Sequence, residues 1–398
     1  MKLPDYVLKA INLLETNNYE VYVVGGAVRD YLLGKTPSDY DLSTNATPEE
    51  IKQVFANYFT IDTGIKHGTV TVMIDHKLLE ITTYREEEGY IDFRRPSKVT
   101  FIKNIKSDLA RRDFTINAIC FNRKFLDLHD GINDLENKII KAIGKPEERF
   151  TEDPLRILRA LRFASTLDFE IEKATKNAVL KYFPLLKKVS KERINVELSK
   201  LLVGKNVKQI LIEYKDLLEK YIFKFRLSNM HINVIDEVSN DLVTKVSLLY
   251  LNSDIDDVTK SLKELKFPNK FIKKIVNVLK YYGYKIVNNE VEMLKVLKVV
   301  EYVTLGIILD LKNTLEKGKY QAEINLYQNL KAKVLRINDL KINGRDLIKI
   351  GFKEGLIIRN TLERLLDDVI NGLENERNSL IKKAKEYYED CMGDDLWI

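Results

Sequence analysis

Hydrophobic and polar positions follow different patterns in the two parts of the chain. Short runs of β-branched and aromatic residues predict strands in the first 145 or so residues, as in "YEVYVVGG" (19–26), "GTVTVMID" (68–75) and "KLLEITTYR" (77–85). Beyond Pro146 the apolar positions recur at helical spacing, between short polar turns. The sequence therefore predicts an α+β fold, in which a head with a mixed sheet is followed by an all-helical remainder.

One segment of the predicted head departs from this pattern. Residues 85–98 ("REEEGYIDFRRPSK") are strongly charged, contain a glycine and a proline, and have no regular apolar period. This composition is typical of loops. We therefore expect a mobile loop at this point.

Composition narrows the class of protein. Of the 398 residues, 45% are hydrophobic and 31% are charged, as in an ordinary folded protein. No run of 18 apolar residues occurs, and "MKLPDYVLKA" at the start lacks the pattern of a signal peptide. Cys120 and Cys391 are too few for a disulfide framework or a structural zinc site. The expectation is a soluble, cytoplasmic protein with no membrane partner.

Basic residues are concentrated in the helical part. The net charge is only +6, yet residues 266–285 ("KFPNKFIKKIVNVLKYYGYK") hold six lysines, several aromatic residues and no acid. A basic helical face with aromatic side chains suits an RNA backbone. A solvated lysine face above an ordinary apolar stripe explains the same pattern equally well.

Two aspartates form the first candidate site. Asp39 and Asp41 are two residues apart in "SDYDLST", and in a strand such residues project from the same face. Two carboxylates this close need a compensating cation to stay ionised. Mg²⁺ prefers oxygen ligands and is commonly held by one or two carboxylates together with substrate phosphates. The alternative is that both aspartates belong to an ordinary turn.

A glycine turn precedes these aspartates. Gly25 and Gly26 follow an apolar strand and open a helix that carries Arg29. Glycines let the backbone approach a phosphate, and an arginine can fork onto its oxygens. Alternatively, Arg29 pairs with Asp30 in a tight strand-to-helix turn. Because the turn, Arg29 and the aspartates occur together, they favour a site for phosphoryl transfer.

Arginines gather in a second candidate site. Only 18 of the 65 basic residues are arginine, yet "ERFTEDPLRILRALRFA" contains four arginines and no lysine. In that stretch Asp153 and Arg156 are three residues apart, so on one helix an acceptor lies beside a donor fork. Such a pair complements the pairing edges of cytosine and adenine and disfavours uracil and guanine. A simple intrahelical salt bridge is the alternative.

A third arginine cluster lies between these two sites in the sequence. "DLARRDFTINAI" (108–119) places Arg111, Arg112 and Asp113 before an apolar segment. Arg112 can reach a triphosphate from there. Alternatively, Arg111 and Arg112 are partners of Asp108 and Asp113.

Together these segments resemble the class II tRNA nucleotidyltransferases, the family of the CCA-adding enzymes and the bacterial poly(A) polymerases. The resemblance rests on a series of motifs in family order: "GGAVRD…DYD", "ARRDFTINAI", the EDxxR stretch in "EERFTEDPLRILRALRFA", "SKERINVELSKLL" (190–202), "LKINGRDLI" and "VINGLENERNSLI". It implies a polymerase-β-like nucleotidyltransferase head (1–145), a neck (146–205), a body (206–300) and a tRNA-binding tail (301–398).

The resemblance also implies the roles of particular residues. Asp39 and Asp41 would be catalytic and hold Mg²⁺, and Asp153 and Arg156 would read the incoming base. The other nucleotide-binding residues would be Gly25, Gly26, Arg29, Arg112, Arg159 and Arg162. Arg359 departs from the pattern, because many relatives have glycine there, which puts the local turn of the tail in question.

The resemblance implies template-independent addition of C, C and A to the 3′ end of tRNA from CTP and ATP, with release of pyrophosphate. The charged segment 85–98 favours this activity, since members that add only CC typically lack such a segment. An A-adding tRNA nucleotidyltransferase is the first alternative, and a poly(A) polymerase is the second. The partners implied are tRNA, CTP and ATP, and a homodimer is compatible with the sequence.

Overall fold

The computed structural model describes residues 1–62, 64–91, 95–331 and 336–393. The chain divides into two compact units, one of Met1–Ile232 with Glu264–Lys266 and one of Asn233–Lys263 with Phe267–Ile398. All strands within the described residues lie before residue 172, and the rest of the described chain is helical or irregular. The predicted α+β head with helices after it is therefore confirmed. The division at 145, 205 and 300 stays a prediction.

Seven of the described strands form one mixed sheet. The strands are β1 (Val21–Val24), β2 (Asp41–Thr44), β3 (Phe59–Ile61), β4 (Thr69–Ile74), β5 (Lys77–Thr83), β6 (Arg85–Ile91), β7 (Arg95–Phe101), β8 (Cys120–Asn122), β9 (Lys124–Leu126), β10 (Ile139–Ile140) and β11 (Glu170–Ile171). In the sheet their order is β3-β4-β5-β2-β1-β8-β9. β2 and β5 run parallel, and the other neighbours run antiparallel.

One face of this sheet is the core of the head. Alternate side chains such as Val23, Leu42, Val70 and Ile81 are fully buried, because residues two apart along a strand share a face. Helices α1 (Asp5–Thr16) and α3 (Pro48–Val54) pack against this side, and α3 begins at a capping box formed by Thr47. The opposite face carries Asp41.

The described residues of the segment 85–98 belong to two paired strands, β6 and β7, and not to the loop that we expected; we call this strand pair the hairpin. β6 and β7 pair antiparallel from Arg85 opposite Phe101 to Ile91 opposite Arg95. The expectation was wrong because it relied on apolar periodicity, whereas the ladder of backbone hydrogen bonds forms here with charged side chains on both strands. The part of the expectation that falls on residues 92–94 lies outside the described residues.

Helices of the first unit complete the surroundings of the site. They are α2 (Gly26–Leu32), α4 (Ile105–Ala110), α5 (Gly131–Glu136), α6 (Pro146–Glu152), α7 (Leu155–Leu167), α8 (Lys173–Tyr182), α9 (Lys191–Leu202), α10 (Val207–Glu213), α11 (Lys215–Leu218) and α12 (Asn229–Asn233). α6 and α7 are separated at Asp153 and Pro154. α7 and α9 pack against each other, and together they form one wall of the site.

The second unit is helical throughout its described residues. Its helices are α13 (Leu242–Tyr250), α14 (Ile255–Glu264), α15 (Asn269–Tyr281), α16 (Glu290–Val299), α17 (Tyr302–Leu315), α18 (Gln321–Asn329), α19 (Gly344–Ile350), α20 (Leu356–Ile370) and α21 (Arg377–Gly393). Leu347, Leu365 and Leu380 are fully buried in the core that α19, α20 and α21 share. Arg359, where we questioned the local turn, lies inside α20 and pairs with Glu363.

None of the helices among the described residues is both long enough and apolar enough to cross a membrane.

Candidate active site

Three neighbouring carboxylates, those of Asp39, Asp41 and Glu80, are among the residues that line a cavity of about 700 Å³ in the first unit. Asp41 is the first residue of β2, and Asp39 lies two residues before it, outside the strand. The parallel register of β2 and β5 places Glu80 directly beside Asp41. The sequence analysis missed Glu80, because only the pairing of the two strands brings it to the site. The structure thus places the two predicted aspartates together and adds a third acid.

These carboxylates are not neutralised by the protein. Burial, together with the charges of Glu80 and Asp39 and against the opposing effect of Arg112, raises the pKa of Asp41 to about 6. Among the described residues no ion pair forms to Asp39, Asp41 or Glu80. No group of three or more such side chains in the described chain converges into a metal cage. Mg²⁺ is commonly held by only one or two carboxylates and takes its other ligands from water and substrate phosphates, and Asp39 and Asp41 fit that pattern.

The glycine turn has the conformation that its sequence predicts. Gly25 has φ +70° and ψ −130°, a region that side chains other than hydrogen rarely allow. A Cβ built on Gly25 would also lie 3.5 Å from Nη1 of Arg112. Gly26 then opens α2, and its Cβ position would lie 3.7 Å from Nη2 of Arg29. Both glycines and both arginines line the cavity.

Arg29 is held by two partners within the first unit. Its Nε donates to Oδ1 of Asp30 at 2.9 Å, and its Nη1 donates to Oδ1 of Asn117 at 2.8 Å. The predicted pairing with Asp30 therefore exists, and it fixes the guanidinium at the cavity wall instead of removing it from the cavity. The same is true of Arg112, whose Nη2 lies 3.4 Å from both Ser43 Oγ and Asp108 Oδ2.

Three guanidinium groups surround the ring of Phe163. The central carbon of Arg162 lies 3.8 Å from the ring centroid, that of Arg29 5.1 Å and that of Arg159 5.3 Å. Guanidinium groups are attracted to the negative face of an aromatic ring within about 6 Å. Phe163 also makes an edge contact with Phe114 at 5.8 Å. This ring therefore joins an arginine of α2 to two arginines of α7.

Two buried acids balance this positive charge. Glu197 of α9 accepts a hydrogen bond from Nη1 of Arg159 at 3.4 Å, and its other carboxylate oxygen forms an ion pair with Arg162 at 2.9 Å. Asp113 accepts from Arg159 at 2.6 Å. Burial by itself raises the pKa of Asp113. The charge of Arg159 and the hydrogen bonds from Asn117 and Arg159 outweigh this effect and lower that pKa to about 2. Burial, together with the charges of Arg159 and Arg29 and despite the opposing charge of Glu197, lowers the pKa of Arg162 to about 10.

Asp153 and Arg156 do not lie on one helix, and this corrects the expectation. Asp153 has extended backbone angles, φ −137° and ψ 96°, between α6 and α7. The reason is Pro154, because a residue before proline is sterically driven out of the helical region. Asp153 and Arg156 form no salt bridge with each other, since each is held by a different partner. Both nevertheless line the cavity.

The two side chains are fixed in place separately. Arg193 of α9 donates to Asp153 with both terminal nitrogens, at 3.2 Å to Oδ1 and 2.7 Å to Oδ2. Arg156 donates to Glu152 at 2.9 Å and to the carbonyl oxygen of Arg111 at 2.9 Å. Arg156 keeps hydrogens that these bonds do not use, and Asp153 keeps a lone pair. An acceptor and a donor fork therefore both remain available in the cavity.

Arg111 connects the cavity to the hairpin. It pairs with Asp108 at 2.7 Å, as the sequence suggested, and with Glu87 of β6 at 3.3 Å. Glu87 also accepts from Arg85 at 2.8 Å. The other proposed pairing, with Asp113, is not found, because Asp113 binds Arg159. The base of the hairpin is thus tied to the same set of arginines.

The cavity as a whole is positively charged. Nine arginine and lysine side chains and six carboxylates line it, which leaves an excess of three positive charges. Lys200 of α9 is the lining cation without an ion-pair partner among the described residues, and its side chain is exposed. A nucleoside triphosphate carries a comparable negative charge, so the cavity complements it in size and charge.

Comparison with known proteins gives the family. A family model described as the poly A polymerase head domain matches residues 21–141, and one described as tRNA nucleotidyltransferase domain 2 matches residues 239–384. Among solved structures, the crystal structure of the Bacillus stearothermophilus CCA-adding enzyme in complex with CTP has a TM-score of 0.83 at 28% identity. That alignment covers 99% of this chain and 100% of the other.

The similarity in sequence extends over the whole length. The CCA-adding enzyme of Ligilactobacillus salivarius is 40% identical over 98% of both chains. That of Listeria innocua is 37% identical over 97% of this chain and 100% of the relative. A Thermotoga maritima CCA-adding enzyme complexed with tRNA shares the fold, with a TM-score of 0.65 at 22% identity over 97% of this chain and 96% of the other. On this evidence the chain belongs to the family of the CCA-adding enzymes, which are tRNA nucleotidyltransferases.

Proposed function

We propose that this protein adds C, C and A to the 3′ end of tRNA, using CTP and ATP. The observation that carries the proposal is a single positively charged cavity with three unneutralised carboxylates and the separate pair Asp153 and Arg156. The 3′-hydroxyl of the RNA attacks the α-phosphorus and passes its proton to solvent. A new P–O bond forms as the bond to the bridging oxygen breaks, and pyrophosphate leaves.

The acid cluster is the proposed metal site. Members of this nucleotidyltransferase family generally use divalent metal ions. We assign Mg²⁺ to Asp39 and Asp41, with Glu80 beside them, because oxygen ligands and a substrate phosphate suit this ion. When bound, the ion neutralises negative charge on the reacting phosphate.

The arginines of the cavity bind the triphosphate in this proposal. Arg29, Arg112, Arg159 and Arg162 line the same cavity as the carboxylates, and the Gly25–Gly26 turn adds no side chain there. The guanidinium fork suits phosphate oxygens. Each of these arginines already has an acceptor within the protein, so its orientation is set before the nucleotide arrives. Such preorganisation avoids a cost of ordering during binding.

Base selection is assigned to Asp153 and Arg156. A carboxylate accepts from the exocyclic amino group of cytosine or adenine, and a guanidinium donates to the neighbouring ring nitrogen. Uracil and guanine present a carbonyl oxygen in place of that amino group, which the carboxylate repels. Because Arg193 and Glu152 hold the two side chains, their spacing is fixed by the protein and no nucleic-acid template is needed.

The helices of the second unit supply the RNA contact in this proposal. All six lysines between 266 and 285 are exposed, and none of them forms an ion pair with a described residue. Exposed lysines that are free of acids attract the phosphate backbone without reading its sequence. We also propose that the reaction takes place in the cytoplasm. Sedimentation velocity tests a further proposal, that the protein forms a homodimer.

The test uses three acceptors: a tRNA transcript that ends at the base before CCA, one that ends in C-C, and oligo(A). Each is incubated with Mg²⁺ and CTP, ATP or both, and products are sized to one nucleotide. We expect three nucleotides on the first acceptor and one on the second. Addition only to the C-C acceptor would identify an A-adding enzyme. Long tails on oligo(A) would identify a poly(A) polymerase. Either result overturns the proposal.

A further inference from the structure

The sheet face that carries the carboxylates continues beyond the cavity. On this face, neighbouring strands align in rows across the sheet. Ser43, Thr82 and Thr69 form one row, and Asp41 and Glu80 belong to the next. All five residues line the cavity. The row of the carboxylates is therefore where the cavity meets the open part of the sheet.

One row further along, the side chains are apolar and open to solvent. β3, β4 and β5 pair Phe59 with Met73 and Met73 with Leu78, and we call these three residues the apolar row. Phe59 is 63% exposed and Leu78 is 56% exposed. On the opposite face of the same strands, Val72 and Leu79 are fully buried. Large exposed apolar side chains side by side in a sheet commonly mark a binding surface.

The apolar row is close to the reacting centre. Residues two apart in a strand are about 6.8 Å apart, and neighbouring strands are about 4.8 Å apart. By this geometry the Cα atom of Leu78 is about 8 Å from that of Asp41, and the Cα atom of Phe59 is about 16 Å away. A molecule that reaches Asp41 across the open sheet must pass over these side chains.

The in-line geometry of the reaction indicates which substrate lies over the apolar row. The attacking hydroxyl and the leaving pyrophosphate lie on opposite sides of the phosphorus. The Gly25–Gly26 turn and Arg29, to which we assign the triphosphate, follow β1 on one side of β2, whereas β5, β4 and β3 lie on the other side of β2 in the sheet. The hydroxyl then approaches from the other side, where the apolar row lies.

We propose that the apolar row is a stacking subsite for the unpaired 3′-terminal bases of the acceptor RNA. Every base has an apolar face, and stacking on aromatic and apolar side chains contributes binding without regard to sequence. A subsite of this kind accepts the growing end whether it terminates in the original base or in an added C. The inference rests on the proposed function, because it requires an RNA acceptor.

The test compares the double variant Phe59→Ser/Leu78→Ser with the wild-type protein and with a control, Leu8→Ser. Leu8 is 42% exposed on α1, which packs against the other face of the sheet. We expect the double variant to raise the KM for the tRNA acceptor roughly tenfold and to leave the KM values for CTP and ATP unchanged. The control should match the wild type in all three.

A direct readout uses an acceptor with 2-aminopurine as its 3′-terminal base. We expect its fluorescence to fall on binding to the wild-type protein and to fall less on binding to the double variant. Unchanged KM and unchanged quenching, in a wild-type protein that does add nucleotides, overturn the subsite and leave the proposed function standing. A wild-type protein that extends no tRNA overturns both. A change of oligomeric state without a change in KM assigns the apolar row to a protein contact and also overturns the subsite.

Discussion

Arg193 holds Asp153 with two hydrogen bonds, of 3.2 and 2.7 Å, across the gap between α9 and the break before α7. Neither side chain is more than 22% exposed. A bidentate contact of this kind fixes the plane of the carboxylate as well as its position. The orientation of the residue proposed to read the base therefore depends on a helix that is about 40 residues further along the chain.

Replacing Arg193 with Lys should disturb base selection more than folding. The charge stays, but one of the two hydrogen bonds is lost, and a hydrogen bond to a charged group contributes about 1.5–3 kcal/mol. We expect kcat/KM for CTP and ATP to fall roughly tenfold and misincorporation of UTP and GTP to rise. Single-nucleotide addition assays measure both. Arg123→Lys is the control, because Arg123 pairs with Glu15 at the surface and is 81% exposed; equal losses in both variants would contradict the prediction.

Replacing Phe163 with Leu should weaken triphosphate binding for both nucleotides equally. The change removes the ring that three guanidinium groups share, and each cation–π contact contributes about 0.5–2 kcal/mol. We expect the Kd values for CTP and ATP to rise roughly tenfold, with the ratio of the two unchanged. Phe55→Leu, at a fully buried position in the core of the head, controls for loss of packing. If only one nucleotide is affected, Phe163 contacts a base and does not position the arginines.

Asp41 should make the metal-free protein less stable at high pH. Its pKa of about 6 in the folded protein exceeds the unfolded value of about 3.9, so the folded state binds this proton more tightly between those pH values. The contribution of the Asp41 carboxyl to the stability of the folded protein is present below about pH 4 and is lost as the pH rises through 6. Asp41→Asn should therefore raise Tm at pH 8 by roughly 1–2 °C, a small effect because the carboxyl is partly open to solvent.

The same measurement of Tm also tests the assignment of Mg²⁺ to Asp41. Mg²⁺ should raise the Tm of the wild type at pH 8 and leave that of Asp41→Asn unchanged, because a ligand that binds the folded state stabilises it. Asp75→Asn is the control, since Asp75 pairs with Lys9 at the surface, where both side chains are about half exposed. A Tm that rises equally with Mg²⁺ in all three proteins would place the ion elsewhere.

Neutralising the basic face of α15 should reduce tRNA binding in a salt-dependent way. Lys270, Lys273 and Lys274 are exposed on this helix, with no ion-pair partner in the described part of the chain. Changing all three to Gln should lower the slope of log K against log salt by about 2–3, since each phosphate contact contributes about 0.7–0.9. The control changes Lys295 and Lys319, which pair with Glu292 and Glu316. An unchanged slope would exclude this face from RNA binding.

His231 should make the protein sensitive to acid. The residue is 2% exposed, and neither ring nitrogen has a hydrogen-bond partner within the described residues. Burial lowers its pKa in the folded state. The unfolded state therefore binds the proton more tightly, and stability falls as the pH drops below the unfolded value of about 6.5. In His231→Gln the fall in Tm between pH 7.5 and 5.0 should be smaller, whereas His76→Gln, at an exposed position, should behave as the wild type.

Several predictions from sequence were correct because local rules were sufficient. The strands β1, β4 and β5 lie within the runs that predicted them, and Gly25 has the positive φ that glycine tolerates in a tight turn. The "DP" pair at 153–154 also carried a local signal that α6 must end, which we did not use. The missed hairpin shows where periodicity is insufficient, since its ladder does not depend on an apolar face.

By itself the sequence determined the α+β head and the helical remainder, and it predicted a set of aspartates and arginines that all line one cavity. Only the tertiary structure decided how those residues are paired. Glu80 comes beside Asp41 through a parallel strand pair, Arg193 comes to Asp153 from another helix, and the apolar row forms across three strands. Spacing along the chain cannot give these contacts, because each is fixed by the burial of an opposite, apolar face of the same strand or helix.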